Sequence, residues 1–217
     1  MMIRQKDRIA KGAEAIIYRG SFLQTPIILK HRLPKIYRLP QIDKTIRLQR
    51  LRAEARIMVL AWKIGAHVPV LLGIDFANRT LLMEEIQGEL LFFIMNTAPL
   101  TKMKSIFKDI GQEVGLLHKN DITHGDLTVF NVVINKENKP WLIDFGLGQV
   151  SVEREKKADD LLTFYSTLKA ISPDFQDLFD LFKHGYFGMY KKGRKTFEHM
   201  KKIQSRARYI AREDRLE

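Results

Sequence analysis

There is no cysteine among the 217 residues. Disulfides and thiolate metal sites are therefore excluded, and a reducing compartment fits. Histidine is sparse. The six, at positions 31, 67, 118, 124, 184 and 199, show no paired ligand spacing, so no zinc site is expected. No apolar run approaches the roughly 18 residues needed to span a bilayer. The opening stretch, MMIRQKDRIAKG, has no apolar core of signal-peptide length. An intracellular protein without a membrane anchor is expected. Internal repeats and low-complexity linkers are missing as well.

What is present reads as a packed globular chain. Hydrophobic residues make up 45%, enough to bury a core. The length permits one domain or two small lobes, since single domains reach roughly 250 residues. The net charge of +12 is localised. Lys30 to Lys63 holds ten Lys/Arg against two Asp/Glu, and Lys183 to the end holds eleven against four. The remainder is slightly negative. Two basic stretches on a near-neutral body point to a polyanionic partner such as RNA, although solvated helix faces would give the same pattern.

The first 85 residues read as strands with one helix. Short apolar or alternating runs at 6–10, 14–20 and 26–31 are broken by Gly12, Gly20 and Pro26. Over 41–64 the residues Ile42, Ile46, Leu51, Ala55, Met58, Val59 and Trp62 recur at helical spacing. Gly65 stops that helix. Residues 68–76 and 79–85 read as a strand pair around Asn78-Arg79. Beyond Gly88 the spacing predicts a helix over 100–120, short strands at 132–135 and 140–143, and helices over 157–170 and 172–190. The tail from Arg194 reads as a basic helix or a disordered arm. The expected fold is α+β and bilobal: a strand-rich lobe over 1–86 and a minimal helical lobe over 87–217 with a basic tail, together one domain.

Chemistry concentrates in His124-Gly125-Asp126-Leu127-Thr128-Val129-Phe130-Asn131 and, thirteen residues after Asn131, Asp144-Phe145-Gly146. The pair resembles the catalytic loop H-x-D-x-x-x-x-N and the D-F-G of protein kinases. Phosphoryl transfer needs a carboxylate beside the attacking hydroxyl and oxygen ligands for the magnesium on the phosphates. Asp126 is the candidate for the first, Asn131 and Asp144 for the second. The predicted hairpin between them brings Asp144 back to face Asn131. Ile27-Ile28-Leu29-Lys30 resembles the V-A-I-K strand whose lysine binds phosphates, and Glu54 is its expected partner. The segment Ile9-Ala10-Lys11-Gly12-Ala13-Glu14-Ala15-Ile16-Ile17-Tyr18 aligns with the phosphate-covering loop, with Ala10 and Ala15 in place of two glycines. Ile9 and Ile17 would cover the adenine. Met83-Glu84-Glu85-Ile86 is the expected hinge, with backbone at Glu84 and Ile86 bonding the adenine edge. ATP and Mg²⁺ are the expected cofactors.

Four details narrow the resemblance. They are the Lys-Gly-Ala-Glu-Ala loop, the His31-Arg32-Leu33-Pro34-Lys35-Ile36-Tyr37-Arg38 stretch after Lys30, the hinge continuing Gln87-Gly88, and Gly125 where most protein kinases carry Arg. Together they are similar to the PRPK family, the small kinase subunit of the KEOPS (EKC) complex. That resemblance implies an atypical Ser/Thr kinase or ATPase that autophosphorylates. It implies partners in a threonylcarbamoyl-transferase subunit and a small regulatory subunit, a role in threonylcarbamoyl-adenosine modification of tRNA, and a cytoplasmic and nuclear location. Only 71 residues follow Gly146, without an A-P-E segment, so the peptide-docking platform of ordinary kinases is reduced. Regulation by a partner is expected in place of loop phosphorylation. Thr128 stands where H-R-D-L-K kinases place lysine, which leaves ATP hydrolysis open. Asp160 matches the family's helix aspartate and is expected to brace the catalytic loop. The tail, Gln204 to Glu217, is basic but diluted by acids, so the contact with tRNA is less strongly implied. The competing readings are a RIO-like kinase in ribosome assembly and a non-catalytic RNA-binding scaffold.

Overall fold

A computed structural model describes residues 3–95 and 97–213, with side chains over 7–95 and 97–206. Strands β1 (Ile3–Lys11), β2 (Ala15–Phe22), β3 (Thr25–Arg32), β4 (Leu71–Asp75) and β5 (Thr80–Glu84) form one antiparallel sheet in the order β1-β2-β3-β5-β4. The register sets Ile17 opposite Lys30, Lys30 opposite Leu81, and Ile28 opposite Met83. Alternation then puts Ile17, Ile28, Lys30 and Met83 on one face, and Arg32 follows Lys30 there by the same period of two.

Helix α1 (Pro40–Lys63) crosses beneath this sheet. Proline fits its first turn because that N–H has no helical partner. Asp43 adds a favourable charge at the N-terminus and pairs with Arg47 one turn on at 2.6 Å. Gly65 ends the helix at φ +83°, a left-handed conformation open to glycine at little cost, while Ala66 N–H reaches back to the Ala61 carbonyl (3.1 Å). The apolar stripe expected on this helix divides. Leu51, Ala55 and Met58 are buried, but Ile42, Val59 and Trp62 lie exposed. A helix against one sheet face buries only one side, and those three point elsewhere.

Past the sheet come β6 (Gly88–Leu90), α2 (Leu91–Met95), α3 (Leu100–Lys119), β7 (Ile122–Thr123), a 3-10 turn (Val129–Asn131), β8 (Val132–Asn135), β9 (Pro140–Leu142), β10 (Gln149–Val150), α4 (Arg154–Ile171), α5 (Phe175–Met189) and α6 (Gly193–Glu213). The tail after Arg194 continues α6 as far as Glu213. Residues 214–217 and the side chains of 207–213 lie outside the described residues. Strands β6, β8 and β9 form a second sheet, and β7 pairs with β10. The fold is thus α+β with a strand-rich part and a helical part. One core joins them: Leu51, Ala55 and Met58 of α1 and Leu81 and Met83 of β5 share a cluster with Phe107, Phe164 and Phe182 of the helices.

Helices α3 and α5 touch through glycine. A Cβ on Gly111 would stand 2.0 Å from the Phe182 carbonyl oxygen, and one on Gly185 would stand 1.9 Å from that of Lys108. The backbones meet where side chains would otherwise hold them apart. This close approach fixes α3 and, through it, the loop that follows. No helix among the described residues is long and apolar enough to cross a membrane.

Candidate active site

The loop after α3 carries His124 to Asn131, and the turn after β9 carries Asp144 to Gly146. β8 and β9 form the hairpin between them. Asn131 lies on the 3-10 turn that enters β8, and its carbonyl accepts the Ile143 N–H (3.0 Å). The two segments are thereby tied side by side.

Asn131 Nδ2 donates to the Asp126 carbonyl (2.8 Å) and to Asp126 Oδ2 (3.0 Å). Among the described residues no hydrogen bond to its Oδ1 is found. Asp144 sits at φ +64°, sparsely populated by residues other than glycine, and its carboxylate Oδ1 accepts the Gly146 N–H (3.1 Å). Such a conformation costs about 1–3 kcal/mol and persists where surroundings enforce it. Here Phe145 enforces it. Its ring is buried against His124, centroids 4.5 Å apart, which turns the neighbouring carboxylate outward.

From β3, Lys30 Nζ donates to Glu54 Oε1 and to Asp144 Oδ1, each at 2.6 Å. Burial works against the charged lysine, but the two carboxylates outweigh it and its pKa rises. Burial likewise pushes Asp144 up, and the adjacent Lys30 overrides it, holding the carboxyl below its usual range. Both groups therefore stay ionised at neutral pH. Glu54, only 1% exposed, shares itself: its second oxygen accepts from Arg32 Nη2.

The catalytic loop is braced from below. Asp160 on α4 accepts the His124 N–H through Oδ2 and the Gly125 N–H through Oδ1, both at 2.7 Å. Its Oδ2 also faces His118 Nε2 (3.1 Å), and His118 Nδ1 faces the Tyr186 hydroxyl (2.7 Å). Gly125 itself is at φ +82°, and a Cβ there would stand 2.2 Å from the Leu147 carbonyl oxygen. The arginine common at this position in protein kinases cannot be placed on this backbone. His124 Nε2 donates to the Ile143 carbonyl (2.9 Å), while its Nδ1 accepts the Asp126 N–H (3.3 Å). That pattern needs the neutral ring, in agreement with burial pulling its pKa below the ordinary 6.5.

A pH dependence follows. The unfolded chain binds a proton at this histidine below pH 6.5, while the folded chain resists until the lower native pKa. The contribution to stability is complete above 6.5 and is lost as pH falls through the folded value. The unfolding midpoint temperature should hold level from pH 8 to 7 and decline below about 6.5. A chain with His124→Gln should show a shallower decline. An unchanged slope in that variant would assign the acid sensitivity to other groups.

Of the expected nucleotide contacts, Ile17, Lys30 and Met83 share the sheet face toward this centre. Glu14 lies on the exposed turn between β1 and β2, Lys11 is the exposed last residue of β1, and Ile9 is half exposed. Gly12 N–H closes that turn on the Ala15 carbonyl (2.9 Å). Glu84 N–H is already taken by the Val70 carbonyl (2.9 Å), so at Glu84 only the carbonyl side is open to an adenine. Two residues near the centre were given no role from the sequence: Arg32, noted only within the His31–Arg38 stretch, and Tyr186. Strand alternation from Lys30 would have exposed the first. The second comes from a distant helix and left no local signal.

Oxygen donors of the amide and carboxylate type, as Asn131 and Asp144 offer, suit a hard divalent cation that keeps phosphate and water as its other ligands. Among the described residues no group of three or more His, Cys, Asp or Glu is arranged to hold a metal by itself.

The sequence profile of the RIO domain family matches residues 37–176. A KEOPS complex subunit Bud32 from Pyrococcus abyssi is 33% identical over 213 residues, covering 94% of this chain and 96% of the relative. The chain belongs to the Bud32 family of RIO-domain proteins. Other Bud32-like relatives are larger. Probable bifunctional tRNA threonylcarbamoyladenosine biosynthesis proteins from Methanosphaera stadtmanae and Methanocaldococcus jannaschii are 37% and 36% identical over 201 and 203 residues. They cover 92% and 93% of this chain, while the chain spans only 36% and 37% of them. As a member of the Bud32 family, the chain has the kinase-like fold its motifs implied. The Lys30 and Glu54 contact, the Asp126 and Asn131 contact and Asp144 are the features around which that family's chemistry must be sought here.

Proposed function

We propose that this protein is an ATP-dependent kinase or ATPase of a KEOPS-type complex, supporting threonylcarbamoyladenosine modification of tRNA. The observation that carries the reading is the convergence of Lys30 of β3 and Asp144 of the turn after β9 at 2.6 Å, with Glu54 also on the lysine. A fold kept only as a scaffold has no need to bury a lysine between two carboxylates. The RIO-domain match alone would also admit a kinase of ribosome assembly, but the full-length relative carries the KEOPS name.

In this reading Ile9, Ile17 and Met83 enclose the adenine, and Glu84 and Ile86 bond its edge through the backbone. Residues 10–15 cover the phosphates. Lys30, oriented by Glu54, neutralises phosphate charge. Asn131 and Asp144 hold Mg²⁺, which screens the phosphate oxygens from one another. Asp126, fixed by Asn131, accepts the proton of the attacking hydroxyl or water. Asp160 keeps the loop backbone in place. We assign residues 1–86 and 87–217 to the two lobes of one kinase domain. We also propose Ser/Thr as the acceptor type, a threonylcarbamoyl-transferase subunit and a small regulatory subunit as partners, and the cytoplasm as the location. The relatives lend no support to a nuclear one.

The tRNA part rests on charge. On α6 and the turn before it, Lys191, Lys192, Arg194, Lys195, Lys201, Lys202 and Arg206 are exposed, with Glu198 the one acid exposed among them. Such a face neutralises phosphates, so affinity should fall steeply with salt. For five to seven contacts, raising NaCl from 50 to 200 mM should weaken tRNA binding by on the order of 10³-fold. A flat response in a filter-binding or anisotropy titration would remove RNA from the proposal. The catalytic part is tested by ATP hydrolysis measured with and without tRNA and the transferase subunit. Stimulation supports the complex; turnover indifferent to both points to another partner.

A further inference from the structure

Arg32 is 3% exposed, and its guanidinium meets two carboxylates, Glu54 and Glu14. Nη2 is paired with Glu54, the same carboxylate that holds Lys30. Beside Gly146, Nη2 and Lys30 Nζ both converge: a Cβ on that glycine would lie 3.5 Å from the one and 3.6 Å from the other. Two buried cations thus flank one spot next to Asp144.

Arginine offers five N–H donors in a planar fork suited to carboxylate and phosphate. Here the fork is poorly used. Nε is buried with no hydrogen-bond partner, and Nη1 has only Glu14 at 3.5 Å, too long for a good hydrogen bond. A buried donor left unpaired forfeits its hydrogen bond to water without replacement.

Glu14 is the anion that stands there now. It belongs to the turn over the phosphates, and its side chain is 45% exposed. Its firmer hold is on Arg50 of α1, whose hydrogen bond keeps the Glu14 carboxyl below its ordinary range. Lys35 bonds the Ala13 carbonyl, and Leu33 N–H bonds the Glu14 carbonyl (2.9 Å), so the turn is tied down beside Arg32. Losing Arg32 would leave Glu14 its seat on Arg50.

We propose that Arg32 is a second phosphate-binding cation, capped by Glu14, and that the terminal phosphate of a nucleoside triphosphate displaces this carboxylate. The turn over the phosphates then acts as a latch that senses the third phosphate. The proposal rests on the ATP reading above and adds what that reading lacks, a device separating ATP from ADP.

The test is a binding cycle by calorimetry with ATP and ADP, each with Mg²⁺, on the full chain. Glu14→Gln removes the competitor and should tighten ATP by about threefold to tenfold while leaving ADP unchanged. Arg32→Gln should weaken ATP at least about tenfold, again sparing ADP, and should cancel the gain from Glu14→Gln. If Arg32→Gln does not fold, Arg32→Lys serves in its place; it keeps a charge but loses the fork and should lose part of the ATP preference. A Glu14→Gln chain that binds ATP no tighter, or a gain that survives in the Arg32 variant, overturns the latch. A wild-type chain that binds neither nucleotide overturns the ATP reading itself, a distinct outcome.

Discussion

An Asp144→Ala chain is expected to lose magnesium-dependent ATP turnover by on the order of 10³-fold while remaining folded. Two things disappear at once in that variant: the carboxylate assigned to the metal, and one of the two acceptors that fix Lys30. Stability should barely change. The Asp144 side chain is 45% exposed, and Lys30 keeps its buried bond to Glu54. Relief of the left-handed backbone is not gained, because alanine meets the same restriction there. The midpoint of thermal unfolding should stay within about 3 °C of wild type, the shift expected for roughly 1 kcal/mol in a chain of this size. Turnover close to wild type would take Asp144 out of the site and the metal assignment with it. A collapse in stability would mean that the carboxylate serves the fold first.

The second large effect is purely structural. Gly111→Ala sets a methyl group 2.0 Å from the Phe182 carbonyl oxygen, which lies in the backbone of α5. Backbone cannot rotate aside as a side chain can, so α3 and α5 must separate. Alanine does favour a helix over glycine by about 1 kcal/mol, but overpacking against backbone costs about 3 kcal/mol or more. The clash wins by about 2 kcal/mol, and the midpoint should fall by roughly 4–8 °C. Gly188→Ala is the control, on the exposed side of α5 with nothing within 4 Å of the new methyl. It should raise the midpoint slightly, by about 1–4 °C. Circular dichroism melts read both. If Gly111→Ala melts like its control, the close approach of the two helices is not what seats the catalytic loop.

The bracing network gives these two results a common basis. α3 delivers His118 and α5 delivers Tyr186, and together with Asp160 of α4 they form a buried chain ending on the backbone of His124 and Gly125. A shift between α3 and α5 would therefore reach the catalytic loop through hydrogen bonds as well as through packing. Gly111→Ala should accordingly lower turnover at temperatures where the protein is still folded.

Much of this protein was legible from its residues alone. His124 to Asn131 and Asp144 to Gly146 are local strings whose chemistry requires a fixed spacing, so the order of the chain already states it. Long helices were legible too: 41–64 and 100–120 were expected, and Pro40–Lys63 and Leu100–Lys119 are found. Their periodic burial repeats over several turns. What the sequence could not state was anything resting on partners far apart. The strands Gly88–Leu90, Ile122–Thr123 and Gln149–Val150 are too short to carry a pattern and exist because another strand pairs with each of them. The face of α1 that is buried, with Ile42, Val59 and Trp62 left outside, depends on which side meets the sheet. Arg32 was legible only as one member of the His31–Arg38 stretch, with no role of its own, because only folding brings Glu14, Glu54 and Gly146 to it. Chemistry written in neighbouring residues is local and survives translation from sequence. Charge pairing and close backbone contact depend on distances between residues far apart in the chain, and only the tertiary structure sets those.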